Sequence, residues 1–373
     1  MSDPQKWADI VPFLRSLYVI TDPGKDADDE DTLVAINRMI RLGLLEVMGV
    51  TANLKPARMR ARLAKGTLNV LGQGGIPVGF GTNCTQTADD GLDYQFTASY
   101  LAPASEIVDG KNLIMGSLMH AKPKSVILML ISGMTDAADV LRENTFLFSS
   151  KVRRVVIMGG VKATEDGLHP EIDEDGHFIP DTAANNKFDM ESAEYLYKSL
   201  QQLGIPTTIV TRHAANAAKV PRTVYDDMAA TGHPVGLKMI AGQGAGIEML
   251  WQRTWMSADN PQRCLPERCS PEWFRGQFLG GDGEGLTGED SIWDLVKTFN
   301  LYDPVTFVAT HPTIRGIFFE PYVVESGGAE HMIIGVSPER HGVSQPAELA
   351  AYVVRSLVES LEMSMADRRR KTA

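Results

Sequence analysis

The stretch that decides the fold runs from a short apolar segment into a group of acidic residues. It reads Leu17-Tyr18-Val19-Ile20-Thr21-Asp22-Pro23-Gly24-Lys25-Asp26-Ala27-Asp28-Asp29-Glu30-Asp31. Residues 17–20 are apolar on consecutive positions and Thr21 is β-branched, which is typical of a strand buried on both faces of a parallel sheet. Pro23-Gly24 predicts a turn at the strand end, and Asp28 and Asp29 are placed to begin a helix whose N-terminal dipole offsets part of their charge.

Similar apolar, β-branched segments recur along the chain with helical patterns between them. Apolar residues at helical spacing predict helices over 29–42 and 56–71, flanking the second strand. This alternation predicts an α/β fold, a Rossmann-like, mostly parallel wound sheet flanked by helices, with any ligand site at the carboxyl ends of the strands. The predicted strands are 17–21, 45–51, 126–132, 155–158, 207–211 and 332–336.

The sequence has no internal repeat, low-complexity linker or break in composition, which favours a single domain over residues 1–373 with its core at about 17–360. Segments 162–184 and 257–289 read as long loops, typical of functional lids or mobile insertions. The basic end, residues 366–373, is interpreted as a solvated, disordered tail.

Bulk properties exclude several functional classes. A net charge of −11 over 373 residues disfavours binding to nucleic acid polymers and anionic membranes. Three cysteines do not form a disulfide framework, and Cys264 and Cys269 lack a second Cys/His pair for zinc. The sequence shows neither an N-terminal secretory segment nor an apolar run long enough to span a bilayer, so we expect a soluble, cytoplasmic protein.

The acidic group is the strongest candidate site. Asp28 could be a helix N-cap and its neighbours a solvated loop, but this does not explain Asp22 at the end of an apolar strand. Carboxylates without His or Cys suit a hard cation, either Ca²⁺ or Mg²⁺, and either ion would lower the pKa of a bound water. An alternative hypothesis, a phosphatase with an aspartate nucleophile, requires Thr/Ser and Lys motifs that we do not find.

This stretch resembles the signature of the inosine–uridine-preferring nucleoside hydrolases, Asp-x-Asp-Pro-Gly-x-Asp-Asp. The chain has Ile20 in place of the first Asp and two extra residues after Gly24. The downstream helix pattern aligns Asp28 and Asp29 with the Asp pair of the family, and Asp26 is the alternative for one of those roles.

Further motifs follow in the order in which the family has them, over about residues 17–310. Together with Asp181-Thr-Ala-Ala-Asn-Asn186, they resemble a divergent branch that includes nucleoside hydrolase-like type III effectors. The motifs are Asn53 after the second strand, Ile76-Pro-Val-Gly-Phe-Gly81, Ser132-Gly-Met-Thr135-Asp136, Met158-Gly159-Gly160, Asn185-x-x-x-Asp189 and Tyr302-Asp303-Pro304.

The resemblance implies an enzyme that hydrolyses the N-glycosidic bond of a ribonucleoside or its 5′-phosphate and depends on Ca²⁺ more than on Mg²⁺. Asp22 would be the base that takes a proton from water, and Tyr302 would lie beside the nucleobase. The resemblance also implies a homo-oligomer, dimeric or tetrameric, and for an effector-like protein secretion into a host cell. The implied metal ligands are Asp22, Asp29, Asp303 and the Thr135 carbonyl, and the implied substrate ligands are Asp26, Asp28, Asn53, Asn185, Asp303 and His177.

Two departures from the family concern the chemistry. Ala183 replaces a Glu that contacts the sugar 5′-end, which leaves room for a 5′-phosphate contacted by Lys25, Arg212 or His213. Tyr302 replaces a His that protonates a purine leaving group, and a tyrosine is a poorer acid because its ordinary pKa is near 10. The alternative function is therefore a ribose or nucleotide binder, for example of ADP-ribose, with weak or no turnover and an effector or regulatory role.

Overall fold

The structure is a computed structural model that describes residues 15–24, 26–84 and 97–372. The strands are β1 (Arg15–Thr21), β2 (Leu45–Ala52), β3 (Val78–Phe80), β4 (Ile107–Asp109), β5 (Val126–Leu130), β6 (Val152–Gly159), β7 (Thr207–Thr211), β8 (Val220–Pro221), β9 (Thr298–Phe299), β10 (Tyr322–Ser326) and β11 (Ala329–Ile334).

Helices connect most of these strands. They are α1 (Asp28–Arg41), α2 (Ala57–Val70), α3 (Gly110–His120), α4 (Thr135–Glu143), α5 (Thr145–Lys151), α6 (Ala184–Lys187), α7 (Met190–Gln202), α8 (Arg212–Ala217), α9 (Val224–Ala230), α10 (Pro234–Thr254), α11 (Pro271–Phe278), α12 (Tyr302–Val308), α13 (Pro312–Phe318) and α14 (Pro346–Thr372). Within the described ranges, none of these helices is both long and apolar enough to cross a membrane.

Nine strands form one sheet in the order β10-β11-β7-β6-β5-β1-β2-β3-β4, and β8 and β9 form a separate antiparallel pair. All neighbours in the large sheet are parallel except β10, which pairs antiparallel with β11 at one edge. Strand β1 lies between β2 and β5, so the chain first winds toward β2 on one side of β1 and later adds β5 on the other side. In such sheets the crevice at the carboxyl ends of the strands, where the winding reverses, is the usual ligand site.

The two faces of β1 belong to two separate hydrophobic clusters. Leu17 and Val19 pack with α1 and α2, whereas Tyr18 and Ile20 pack with α3, α4 and α7. All four side chains are buried. Strand β1 is therefore buried on both faces, as its unbroken apolar sequence predicts.

The structure confirms the predicted α/β fold and mostly parallel sheet, and each predicted strand overlaps an observed one. Two local predictions are wrong. Segment 257–289 contains helix α11, which Ser270 caps by accepting a hydrogen bond from the Trp273 N–H. The basic end is helical up to Thr372 rather than disordered, and Arg368 donates a hydrogen bond to the Val70 carbonyl.

Candidate active site

The turn after β1 is held by its own side chains and by α2. The hydroxyl of Thr21 and the Asp22 N–H (2.8 Å) both donate to one carboxylate oxygen of Asp29. From α2, the buried Arg60 donates to the carbonyls of Asp22 (2.6 Å) and Pro23 (3.2 Å). The main chain at Asp22 and Pro23 is thus held before any ligand binds.

These carboxylates form the floor of a cavity of about 260 Å³ at the carboxyl ends of the strands. Asp303, the second residue of α12, joins them from a distant part of the sequence. The residues that line the cavity are Asp22, Asp26, Asp28, Asp29, Ile131, Met158, Gly159, Thr182, Ala183, Ala184, Asn185, Phe188, Arg212, Arg268, Tyr302 and Asp303.

Burial and mutual repulsion raise the pKa of three of these carboxyl groups well above its ordinary value. For Asp28, Asp29 and Asp303 the largest cause is loss of solvent, and the next is the negative charge of the neighbouring aspartates. Carboxylate oxygens of Asp26, Asp28 and Asp29 lie within 4.8 Å of one another. An all-oxygen donor set of this kind fits a hard cation such as Ca²⁺, because a divalent charge would offset the repulsion.

Other residues of the cavity lining have a different character. Arg212, at the start of α8, and the exposed Arg268, from the loop before α11, bring two positive charges to it. Arg212 lies 3.5 Å from a carboxylate oxygen of Asp181. Met158 and Phe188 add apolar surface. The cavity therefore combines an acidic floor, a basic rim and an apolar wall.

Tyr302 lies between these regions, at the first position of α12. Its phenol oxygen accepts a hydrogen bond of 3.4 Å from Asn300. Burial, and after it the nearby charge of Asp28, raises the pKa of Tyr302 to about 12. A phenol with so high a pKa stays protonated at neutral pH and gives up its proton less readily than an ordinary tyrosine.

The segment that carries Asn185 is anchored to the end of β6. Asn185 donates to the Met158 carbonyl at 3.1 Å, and the buried Asn186 donates to the Gly160 carbonyl at 2.9 Å. A Cβ at Gly160 would lie 2.2 Å from a carboxylate oxygen of Asp181, so this close approach requires glycine. The Met-Gly-Gly sequence thus positions the wall that contains Ala183 and Asn185.

Three predicted site residues do not line the cavity. Asn53 is fully buried, and its amide donates to the Gly133 carbonyl and to the Asp136 carboxylate, both at 2.8 Å. Both amide hydrogens are used within the protein, and the contact of Asn53 with ribose stays a prediction. The hydroxyl of Thr135 donates to Asp189 at 2.7 Å. The role of the Thr135 carbonyl as a metal ligand stays a prediction.

His177 lies apart from the cavity, within segment 162–184. Its backbone N–H donates to Asp173 at 2.8 Å and its ring Nδ1 is 3.3 Å from the same carboxylate. Asp175 completes a small cluster there. The turn holds His177 outside the cavity lining, and its contact with substrate stays a prediction.

Of the predicted phosphate contacts, Arg212 lines the cavity, His213 does not, and Lys25 lies outside the described residues. Sequence reasoning missed Arg268 and Phe188. Arg268 comes from the loop 257–289, where nothing in the pattern indicates which side chain reaches the site. Phe188 lies between Asn185 and Asp189 and could have been found from its place in that motif.

Comparison with known proteins identifies the family. The type III effector XopQ, solved in complex with adenosine diphosphate ribose, is 30% identical, with 96% of this chain and 99% of that chain covered and a TM-score of 0.79. The chain belongs to the nucleoside hydrolase-like family, in its divergent effector branch. The effector XOO4466 is 28% identical over 97% of this chain and 99% of that one, with a TM-score of 0.78.

Classical members of the family share the fold. The inosine–uridine preferring nucleoside hydrolase of Bacillus anthracis is 14% identical over 93% of this chain and 100% of that one, with a TM-score of 0.55. The purine-preferring ribonucleoside hydrolase of Gardnerella vaginalis is 11% identical over 94% and 100%, with a TM-score of 0.59. No family model and no curated protein matches the chain.

Proposed function

We propose that the cavity binds a ribose that carries a 5′-phosphate or a larger 5′-phosphoryl group, and that it hydrolyses the N-glycosidic bond with the help of a bound Ca²⁺. The observation that carries this proposal is the presence of an acidic floor and a basic rim in the same cavity. Carboxylates bind cations and ribose hydroxyls, whereas guanidinium groups bind phosphate. Ala183, where classical members have Glu, removes one carboxylate from the 5′-side, and the Asp181 carboxylate near Arg212 does not line the cavity.

The acidic floor would divide between the metal and the sugar. Asp22, Asp29 and Asp303, with the Thr135 carbonyl, would hold Ca²⁺. Asp28 and Asn185 would bind ribose hydroxyls, and Asp303 would contribute to both. The more exposed Asp26 is the alternative to Asp28. When bound, the ion would supply positive charge that keeps the buried carboxylates ionised and polarises a water molecule.

The side chains of the chain would perform the remaining steps. Asp22 accepts the proton of the attacking water through a carboxylate oxygen. The negative charges of Asp28 and Asp29 stabilise the positive charge that develops on the sugar ring as the bond to the base breaks. Tyr302 donates a hydrogen bond to the base or packs against it, but its high pKa makes it a weak proton donor to the leaving group.

A second function, binding without turnover, is favoured by Tyr302 and by the relationship to XopQ. A site that has lost its leaving-group acid keeps its affinity for ribose and metal while its rate falls. XopQ was solved with ADP-ribose, and this chain is 30% identical to it. ADP-ribose is therefore the first ligand to test, with a 5′-diphosphate that the basic rim would contact.

Two measurements on the same protein separate these functions. Calorimetry with ADP-ribose, in calcium and in EDTA, measures binding, and chromatography measures base released from AMP, UMP and inosine. Calcium-dependent binding with release of base from a 5′-phosphate supports the hydrolase. Tight binding with no base released supports the binder, and no binding to any ribose ligand contradicts both.

Arg268→Gln is expected to weaken ADP-ribose binding by about tenfold or more, because it removes a charge-assisted hydrogen bond to phosphate. Binding of free ribose should not change, since ribose lacks the phosphate. Calorimetry with both ligands measures the two affinities. The matched control is Arg142→Gln, because Arg142 is a half-exposed arginine on α4. Equal weakening for ribose and ADP-ribose would contradict the assignment of the basic rim to phosphate.

A further inference from the structure

A second cavity, of about 280 Å³, lies at the opposite end of the large sheet. Ile127 is near the start of β5, Arg153 and Arg154 are near the start of β6, and Pro206 immediately precedes β7. From Arg154 to Gly159 along β6, the distance is roughly 16 Å at ~3.3 Å per residue. The candidate active site is at the carboxyl ends of the same strands, so the two cavities are separate.

The charged side chains among the described lining residues of this second cavity are all arginines. Its lining consists of Arg153, Arg154 and Arg315, with Ile127, Pro206, Thr310 and Pro312 as largely apolar walls. None of these described lining residues is acidic. The exposed Glu330 on β11 faces Arg154 but is not part of the lining. Three guanidinium groups around one space repel each other, and an anion placed between them would remove that repulsion.

Two of the arginines are held in place by the protein. Nη1 of Arg154 donates to the Thr207 carbonyl (3.2 Å) and to the Thr208 hydroxyl (3.0 Å) on β7. Nη1 of Arg315, on α13, donates to the Ala309 carbonyl at 3.1 Å. Because these bonds fix both guanidinium groups, a ligand would not have to order them, which lowers the entropic cost of binding.

The surroundings of Arg154 disfavour its positive charge. Burial, and after it the charge of Arg315, lowers the pKa of Arg154 to about 10, so the group stays charged at neutral pH but in unfavourable surroundings. The cavity volume of about 280 Å³ is enough for a small anion with part of its hydration shell.

We propose that this cavity is a second binding site, which takes a small phosphate-bearing anion between Arg153, Arg154 and Arg315. Arginine is suited to this role because its planar fork of N–H donors matches phosphate oxygens. The site is distinct from the candidate active site, and it does not depend on whether that site hydrolyses its ligand.

The test is calorimetric titration of inorganic pyrophosphate into the full chain. Since pyrophosphate can also bind at Arg212 and Arg268, every measurement uses the Arg212→Gln/Arg268→Gln background. We expect Arg315→Gln and Arg153→Gln, introduced one at a time, to weaken binding by about tenfold or more. Arg142→Gln, with the same loss of charge at a distance, should change it less than twofold.

Arg153→Gln keeps the test valid if the more buried variants do not fold, because Arg153 is exposed and its loss leaves the core intact. Absence of pyrophosphate binding in the background protein would overturn the proposal. Equal weakening by Arg153→Gln and Arg142→Gln would also overturn it, since this would indicate a general effect of charge.

Discussion

Asp303→Asn is expected to raise the melting temperature of the calcium-free protein and to lower it when calcium is present. Without calcium, burial and the charges of Asp28, Asp29 and Asp22 make an ionised Asp303 unfavourable, and asparagine removes that charge. With calcium at about one hundred times its Kd, the native protein gains about 2.7 kcal/mol from binding. The variant loses most of this stabilisation because it lacks the Asp303 carboxylate that would bind calcium.

The same substitution should reduce base release by about a thousandfold if the site is catalytic, because metal and ribose contacts are lost together. Thermal melting in EDTA and in calcium measures the first effect, and the base-release assay measures the second. Asp227→Asn, on the exposed side of α9, makes the same charge change away from the cavity and should not respond to calcium. Equal stabilisation of Asp303→Asn and native protein by calcium would rule out Asp303 as a metal ligand.

The acidic half of the site could be predicted because it depends on where strands end. Asp22 follows a strand in which residues 17–20 are all apolar, and parallel strands direct their carboxyl ends to a common edge. Asp303 is far away in sequence, and only the resemblance to a family placed it with Asp22. The periodicity of the sequence alone does not show that the first turn of α12, which carries Asp303, lies beside the end of β1.

Side-chain direction explains why Asn53 and His177 do not line the cavity. Asn53 is at the expected strand end, but Gly133 and Asp136 engage its amide from the neighbouring loop and helix. His177 is in the expected segment, but the tight turn at Asp173 determines where its ring lies. Sequence position fixes neither of these orientations, because both depend on hydrogen bonds made after the fold forms.

The prediction of a disordered tail at the basic C-terminal segment is wrong because it considers only the basic residues and not the apolar pattern before them. Leu349, Val353, Leu357 and Leu361 recur every four residues and are buried, which is the pattern of an amphipathic helix. The helix continues into the basic residues, and Arg41 on α1 forms an ion pair with Asp367. Extending the pattern from residue 346 would have predicted α14.

Lys238→Met is expected to destabilise the protein by about 3–5 kcal/mol, because it removes the cation from a buried ion pair. Lys238, on α10, pairs with Glu30, whose side chain has no exposed surface. Glu30 also accepts hydrogen bonds from Thr67 (2.8 Å) and Tyr100 (3.1 Å), which do not supply a positive charge. At about 1–2 °C per kcal/mol for a chain of 373 residues, the melting temperature should fall by roughly 3–10 °C.

The exposed pair of Lys198 and Asp175 provides the matched control. Both side chains are largely in solvent, so Lys198→Met should cost less than about 1 kcal/mol. A similar melting temperature for the Lys238 and Lys198 variants would contradict a buried-charge penalty. The double variant Glu30→Gln/Lys238→Met should recover most of the loss, since it removes both charges.

The double variant also tests whether this pair serves the candidate active site. Glu30 follows Asp28 and Asp29 directly in the first turn of α1, so the pair with Lys238 fixes the helix start that presents them to the cavity. If the pair positions that turn, the double variant should be stable yet bind calcium more weakly than the native protein. Calcium titration of the folded double variant measures this, and unchanged affinity would limit the pair to a role in stability.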